Sequence, residues 1–180
     1  MRTKIFTTAI AIILIGINAE AQVARNCGTM DNLEMLKQAD PTLADRMEGI
    51  ERFTEKWISQ NTNSKAGTIY RIPVVVHVVY NTTAENISDA QVQSQITVLN
   101  EDFRRTNADR VNTPSTFSTL AADCEIEFCL ATVNPSGNTT TGITRTSTAT
   151  SYFTQNNYVK YTSQGGRDAW NSSQYLNLWV

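Results

Sequence analysis

The feature that most constrains the fold is a strand-like run at residues 72–80. It holds valines at 74–76, 78 and 79, and it is apolar on both of the faces that a strand presents. A strand of this kind is buried on both sides, so the run predicts the inside of a sheet with a layer above and below. Pro73 has no N–H to donate to a ladder, and it suits the beginning of the strand.

A well-marked helix follows at residues 88–104. Ser88 and Gln91 form a capping box, and one apolar stripe joins Val92, Ile96, Leu99 and Phe103. Further strand patterns lie at 125–131, 142–146 and 175–180, with a turn at 134–138 and an ambiguous stretch, helix or loop, at 152–160. The order of these elements predicts an α/β (α+β) fold, in which a mixed sheet carries at least one covering helix.

The chain before the first strand divides into two parts. Residues 1–21 combine two early positive charges, a short apolar run and small residues around Ala21, so they predict a secretory signal peptide and an exported protein. Residues 22–67 hold a helical pattern with a break at Pro41, a short helical turn at 33–36, a longer helix from Thr42, and a polar linker at 59–67. Residues 68–180 then form the sheet-bearing part.

The charge balance excludes two classes of partner. The chain has a formal net charge of −2 and no basic cluster. It therefore lacks the electrostatic basis for binding nucleic acid or an anionic membrane. No stretch after the signal peptide is long and apolar enough to span a bilayer.

The side chains that could carry chemistry are few. His77 is the only histidine and lies among valines, so we expect a core histidine that is hydrogen-bonded to the backbone. A zinc hydrolase needs three protein ligands, and the chain contains no HExxH motif. Glu125 and Glu127 are expected on a solvated strand face. The residues alone identify no catalytic group and no cofactor site.

Three cysteines remain in the exported chain: Cys27, Cys124 and Cys129. An odd number leaves at least one without an internal partner. A bond between Cys124 and Cys129 requires the strand to begin after Cys124, because five residues along one strand place the two side chains on opposite faces. That pairing and partners in a segment outside this chain both stay open.

Several motifs in order resemble the opening of the pappalysin family of metzincin metalloproteases, in its ulilysin- and cytophagalysin-like secreted bacterial branch. The resemblance covers roughly residues 70–180. It rests on the sequences IPVVVHVVY (72–80), ISDAQ (87–91), LNEDFR (99–104), IEFCLA (126–131), GITRT (142–146), GRDAW (166–170) and YLNLWV (175–180).

The resemblance implies a fold and an activity. Family members have an N-terminal subdomain with a twisted mixed sheet and a backing helix, and their zinc-binding HExxHxxGxxH helix follows it. We therefore expect the N-terminal part of a secreted zinc metalloendopeptidase that acts on proteins or peptides. The zinc site, and any calcium sites, are expected after Val180, so no catalytic residue is carried over and this chain alone is expected to be inactive.

The resemblance also gives Cys27 a candidate role as a metal ligand. Some members have a propeptide cysteine that binds the catalytic zinc and keeps the enzyme latent, and residues 22–67 would be that propeptide; a structural cysteine is the alternative. The apolar strand pattern that runs to Val180 leads us to expect a truncated catalytic domain. The rival functions are a non-catalytic secreted binding or adhesion module and a protease-inhibiting remnant.

Overall fold

The computed structural model describes residues 28–61, 67–154 and 156–180. The predicted signal peptide and Cys27 lie outside the described residues. The helices and strands, in chain order, are α1 (Thr29–Ala39), α2 (Leu43–Gln60), β1 (Tyr70–Tyr80), α3 (Asp89–Phe103), β2 (Ile126–Leu130), β3 (Ile143–Ser147) and β4 (Leu176–Trp179). Short 3-10 helices lie at Ala108–Asn112, Ser115–Phe117, Tyr158–Lys160 and Thr162–Gln164.

The break between α1 and α2 lies at Asp40, the residue before Pro41. Asp40 is extended, as residues that precede proline usually are. Its carboxylate accepts hydrogen bonds from the Thr42 N–H at 3.0 Å, the Thr42 hydroxyl at 2.7 Å and Arg46 at 2.7 Å. These bonds, with Arg46 first, lower the pKa of Asp40 to about 2. Helix α1 is longer than the predicted short turn, because the proline restricts only the residue next to it.

Helices α1 and α2 bury none of their residues. Helix α2 is nevertheless amphipathic, and its apolar side chains recur at helical spacing. Ile50 is 65% exposed, Phe53 68% and Trp57 48%. The two helices therefore contribute nothing to the core of the sheet.

Strand β1 is the centre of the sheet, as its sequence predicted. Residues Val74 to Val78 are all buried, and the other three strands all pair with this one. β2 pairs with residues 70–74 and β3 with residues 76–80, while β4 pairs with residues 74–77. All three pairings are parallel. Within the described strands, the expected mixed sheet therefore consists of parallel pairings. An isolated antiparallel bridge between Val133 and Thr139 lies outside these strands.

The two edges of β1 are used differently. The even-numbered residues of β1 hydrogen-bond to β2 in the first part of the strand and to β3 in the second part. The Ala131 N–H donates to the Val74 carbonyl, and the Val76 N–H donates to the Gly142 carbonyl. Its odd-numbered residues bond to β4. Gly142 is at φ +72°, and a Cβ there would meet the Ala131 nitrogen at 2.7 Å, so a glycine is required where β2 gives way to β3.

Helix α3 covers one face of the sheet, which confirms the predicted backing helix. The Ser88 side chain accepts a hydrogen bond from the Gln91 N–H, and Val92 and Ile96 are buried. They pack with Val74, Val76, Val78 and Phe128 in the core, and Leu99 and Phe103 contact the same cluster. The α/β class with a backing helix is confirmed.

Candidate functional site

His77 lies in the middle of β1, on the face opposite α3, and is completely buried. Its Nδ1 is 2.8 Å from the Thr144 hydroxyl on β3, and its Nε2 is 2.9 Å from Asn177 Oδ1 on β4. The prediction of a buried core histidine is confirmed. The prediction that the backbone would supply its hydrogen-bond partners is wrong. Polar side chains from β3 and β4, the strands on either side of β1, lie within hydrogen-bond distance of the ring.

The hydrogen bonds fix the tautomer of His77. Asn177 Oδ1 also accepts the Trp170 N–H at 2.7 Å, which identifies this atom as the amide oxygen. His77 Nε2 therefore donates, and Nδ1 accepts from the Thr144 hydroxyl. Burial lowers the pKa of His77, the bond to Asn177 opposes this shift, and the nearby Arg167 charge adds to it. The imidazole is neutral near pH 7.

Asn177 also fastens the irregular segment before β4 to the sheet. Its Nδ2 donates to the Trp170 carbonyl at 3.0 Å and to the Tyr175 carbonyl at 3.2 Å. The Trp179 indole N–H donates to the Arg167 carbonyl at 2.9 Å. These bonds hold residues 167–175 over the sheet face that α3 does not cover.

An open cavity of about 600 Å³ lies beside this cluster. Arg71, Lys160, Tyr175 and Trp179 are among its lining residues. Lys160 Nζ is 5.8 Å from the centre of the Trp179 ring, a distance that allows a cation–π contact. The lining therefore offers cationic and aromatic groups, and it also includes the hydroxyl side chains of Ser172 and Ser173.

The acidic pair predicted to be solvated is divided between two environments. Glu127 accepts from Arg104 at 2.7 Å and from Arg71 at 3.3 Å, with 30% of its side chain exposed. Glu125 is at φ +54°, outside the strand, and accepts from the Gly67 N–H at 3.3 Å. The prediction of a solvated position is therefore wrong for Glu127. This residue takes part in an ion-pair network that the sequence pattern did not indicate.

Arg104 is the centre of that network. Its guanidinium also bonds both oxygens of Asp123, at 2.9 and 3.1 Å. The Arg104 hydrogen bond holds the pKa of Asp123 below its ordinary value, and the same bond raises the pKa of Arg104. The network joins the end of α3 to β2, so its role is structural.

The remaining predicted site residues are not brought together. Cys124 and Cys129 are both free and exposed. Across the part of the chain that the structure describes, no three His, Cys, Asp or Glu side chains are grouped to hold a metal ion. These residues do not fit a zinc site, and both ring nitrogens of His77 are already hydrogen-bonded.

Comparison with solved structures finds several that are similar in fold to this chain. A structure of mirolysin in complex with compound 9 is 59% identical in sequence, with a TM-score of 0.61. A structure of mature mirolysin from Tannerella forsythia, in complex with a cleaved peptide, gives the same two values. Each covers 64% of this chain, while this chain covers 43% of each. The fold matches the N-terminal part of mirolysin.

A structure of a promirolysin mutant from Tannerella forsythia extends the match. It is 50% identical, with a TM-score of 0.65, and it covers 83% of this chain. The match spans 48% of that structure, so less than half of each of these solved chains has a counterpart here. No protein-family profile matches the chain, and no curated protein matches it.

No helix within residues 28–61, 67–154 and 156–180 combines the length and the apolar character that crossing a bilayer requires.

Sequence reasoning missed Thr144 and Asn177 as the partners of His77. The only available signal was polarity at positions inside strand patterns, where apolar side chains are usual. Asn177 stands between two leucines, and Thr144 follows Ile143. Neither position indicates which polar group it meets without the register of the sheet.

Proposed function

We propose that this chain is the N-terminal portion of a secreted zinc metalloendopeptidase. The observation that carries the proposal is the 59% identity to mirolysin over 64% of the chain, with a TM-score of 0.61. The cleaved peptide bound to mature mirolysin supports proteins or peptides as the substrates.

The catalytic zinc, and any calcium, belong in this proposal to the part of the enzyme that has no counterpart here. The described residues lack a metal-binding cluster, and no histidine other than His77 occurs in the chain. The role of this portion is to supply the sheet and the helix that support the site. By itself the portion is inactive.

Residues 22–67 form the propeptide in this proposal. Promirolysin covers 83% of this chain, whereas mature mirolysin covers 64%. The difference between these two coverages, about a fifth of the chain, has a counterpart only in the precursor structure. Residues 28–61, which hold α1 and α2, also make up about a fifth of the chain. The absence of buried residues in α1 and α2 also supports a segment that can be removed without loss of the core.

Cys27 is the proposed latency residue. A thiolate is a strong zinc ligand, and zinc hydrolases keep one coordination position open for water. A cysteine that takes this position from within the propeptide keeps the enzyme inactive until the linker at 59–67 is cut. The predicted signal peptide, residues 1–21, places this activation after export.

A chimera tests the proposal. Residues 22–180 of this chain are joined to the part of promirolysin that has no counterpart here, and peptide cleavage is followed over time. We expect a latent enzyme that becomes active after loss of the N-terminal segment and is inhibited by a zinc chelator. Cys27→Ala should shorten the latent phase severalfold, while the matched variant Cys129→Ala should leave it unchanged.

Two outcomes would contradict the proposal. A chimera that folds and binds zinc but cleaves no peptide, beside an active promirolysin control, overturns the protease assignment and favours a binding module or an inhibitory remnant. An active chimera whose latent phase does not change in Cys27→Ala overturns only the role of Cys27.

A further inference from the structure

Strand β2 forms one margin of the sheet, and its outer edge faces away from β1. The Ala131 N–H donates to the Val74 carbonyl, so the odd-numbered positions of this part of the chain bond to β1. The backbone groups of Ile126, Phe128 and Leu130 therefore point outward. Among the strands that the structure describes, none pairs with β2 on that side. Three outward residues in alternation are enough to seat an added strand.

The middle of that edge is occupied by a side chain from α3. Asn100 Oδ1 accepts the Phe128 N–H at 2.7 Å, and Asn100 Nδ2 donates to the Phe128 carbonyl at 3.0 Å. A primary amide carries one acceptor and two donors, so it can satisfy both backbone groups of a single residue. Asn100 thus takes the two positions that a neighbouring strand would use at Phe128.

The packing of α3 brings the Asn100 amide to this position. Ile96, one helical turn earlier, is buried in the core cluster that includes Phe128, so the helix is already held against β2. Residues four apart lie on the same side of a helix, so Asn100 follows this contact toward the strand. The amide therefore reaches Phe128 from a rigid element.

The rest of the β2 edge has little protection of its own. Sheet edges are commonly guarded by a lysine, a proline or a bulge, and residues 126–130 contain no lysine and no proline. A cavity of about 490 Å³ lies between α3 and this strand, and Leu130, Thr97 and Asn100 are among its lining residues. A strand that approached the edge would meet open space beside Leu130. At Phe128 it would meet the Asn100 amide.

We infer that Asn100 is an edge cap, which holds the ladder groups of Phe128 and keeps β2 from pairing with the same strand of a second copy of this chain. Two copies related by a twofold axis would bring their β2 edges together in antiparallel orientation. A pair centred on Phe128 would exchange both N–H···O bonds between the two Phe128 residues. These are the same two groups that the Asn100 side chain occupies, so the cap and the dimer exclude each other.

Analytical ultracentrifugation of residues 22–180 tests the inference by comparing Asn100→Ala with the wild-type chain. The average mass of Asn100→Ala should approach twice that of the monomer as the concentration rises from about 10 to about 500 µM, beyond any rise in the wild-type chain. Asn100→Ser, whose side chain is too short to hold both groups, should associate in the same way. Thr97→Ala is the matched control, because Thr97 lines the same cavity but bonds only to the Gln93 carbonyl of its own helix. It should behave as the wild-type chain does.

Amide hydrogen exchange places the effect at the edge. In the wild-type chain the Phe128 amide should exchange about tenfold or more slowly than the Ile126 and Leu130 amides, whose groups point outward without a cap. In Asn100→Ala the Phe128 amide should lose this protection at low concentration. At high concentration all three amides should become protected together.

Three results would overturn the inference. The first is fast exchange of the Phe128 amide in the wild-type chain, which would mean that the cap is not formed. The second is a folded Asn100→Ala or Asn100→Ser variant that associates no more than the wild-type chain although the Phe128 amide has lost its protection. The third is equal association of Asn100→Ala and Thr97→Ala, which would assign the contact to another surface. None of these readouts involves peptide cleavage, so the edge cap stands or falls separately from the proposed function.

Discussion

Replacing Asn177 with alanine is the most informative test of how the sheet holds residues 167–175. The Asn177 side chain accepts from His77 Nε2 at 2.9 Å and from the Trp170 N–H at 2.7 Å. Its amide also donates to two carbonyls, those of Trp170 and Tyr175. Alanine fits the strand but satisfies none of these groups, so the substitution removes hydrogen bonds without blocking the backbone.

The expected loss follows from the two donors left without an acceptor. A buried donor that loses its partner costs about 1–3 kcal/mol. His77 is completely buried, so its Nε2–H lies toward the upper end of that range, while the part-buried Trp170 N–H lies toward the lower end. The two together give about 3 kcal/mol. A domain of this size has a free energy of unfolding of about 5–15 kcal/mol, so the loss is a large fraction of it.

Urea unfolding of residues 22–180, followed by tryptophan fluorescence, measures this loss. With a slope of about 2 kcal/mol per molar urea, the midpoint should fall by roughly 1.5 M. Trp170 and Trp179 lie on either side of Asn177 in the sequence, so their emission reports on this region directly. Asn138→Ala, at an exposed turn, is the matched control and should lower the free energy of unfolding by less than 0.5 kcal/mol, a typical surface effect of about that size. Equal midpoints for the two variants would refute the reasoning.

Three further predictions concern other parts of the chain. His77 is the only histidine in the chain, and burial lowers its pKa. As pH falls below about 6.5, this residue therefore takes up more proton in the unfolded chain than in the folded chain. Urea unfolding should show a loss of stability of up to about 1.4 kcal/mol between pH 7.5 and 5.5, and the loss should disappear in His77→Gln. Phe128→Ala, in the core, should cost about 3–5 kcal/mol in the same assay, and a cost below that of the exposed Phe117→Ala would contradict the packing. Cys124 and Cys129 are free and exposed, so Ellman's reagent should titrate both thiols in the folded chain without a reductant, whereas a disulfide between them would leave neither reactive.

The sequence predicted the elements whose patterns repeat along the chain. The valine run of β1 required burial on both faces, and five consecutive residues of the strand are buried. The capping residue and apolar stripe of α3 specified both where the helix begins and which side faces the sheet. These features are local, because propensity and periodicity act within a few turns or strand residues.

The polar contacts across the sheet could not be predicted in the same way. His77 and Asn177 are one hundred residues apart, and Glu127 meets Arg104 from a different element. Each of these residues has an ordinary interpretation on its own: a core histidine, a strand asparagine, a solvated glutamate. Only the parallel register brings each to its partner, and register depends on the whole sheet rather than on a sequence window.

His77 in turn restricts that register. Its two ring nitrogens need one partner from β3 and one from β4, and each of those strands offers a suitable side chain at the position observed. A slip of β4 by one residue would turn Asn177 to the other face of the sheet, and a slip by two would move its oxygen by about 7 Å. Either change would leave a fully buried imidazole N–H unsatisfied, at a cost of about 1–3 kcal/mol. The same register determines that Asn177 and Trp179 present their backbone groups outward. The buried histidine therefore positions the outer edge of β4 through its hydrogen bond to the Asn177 side chain.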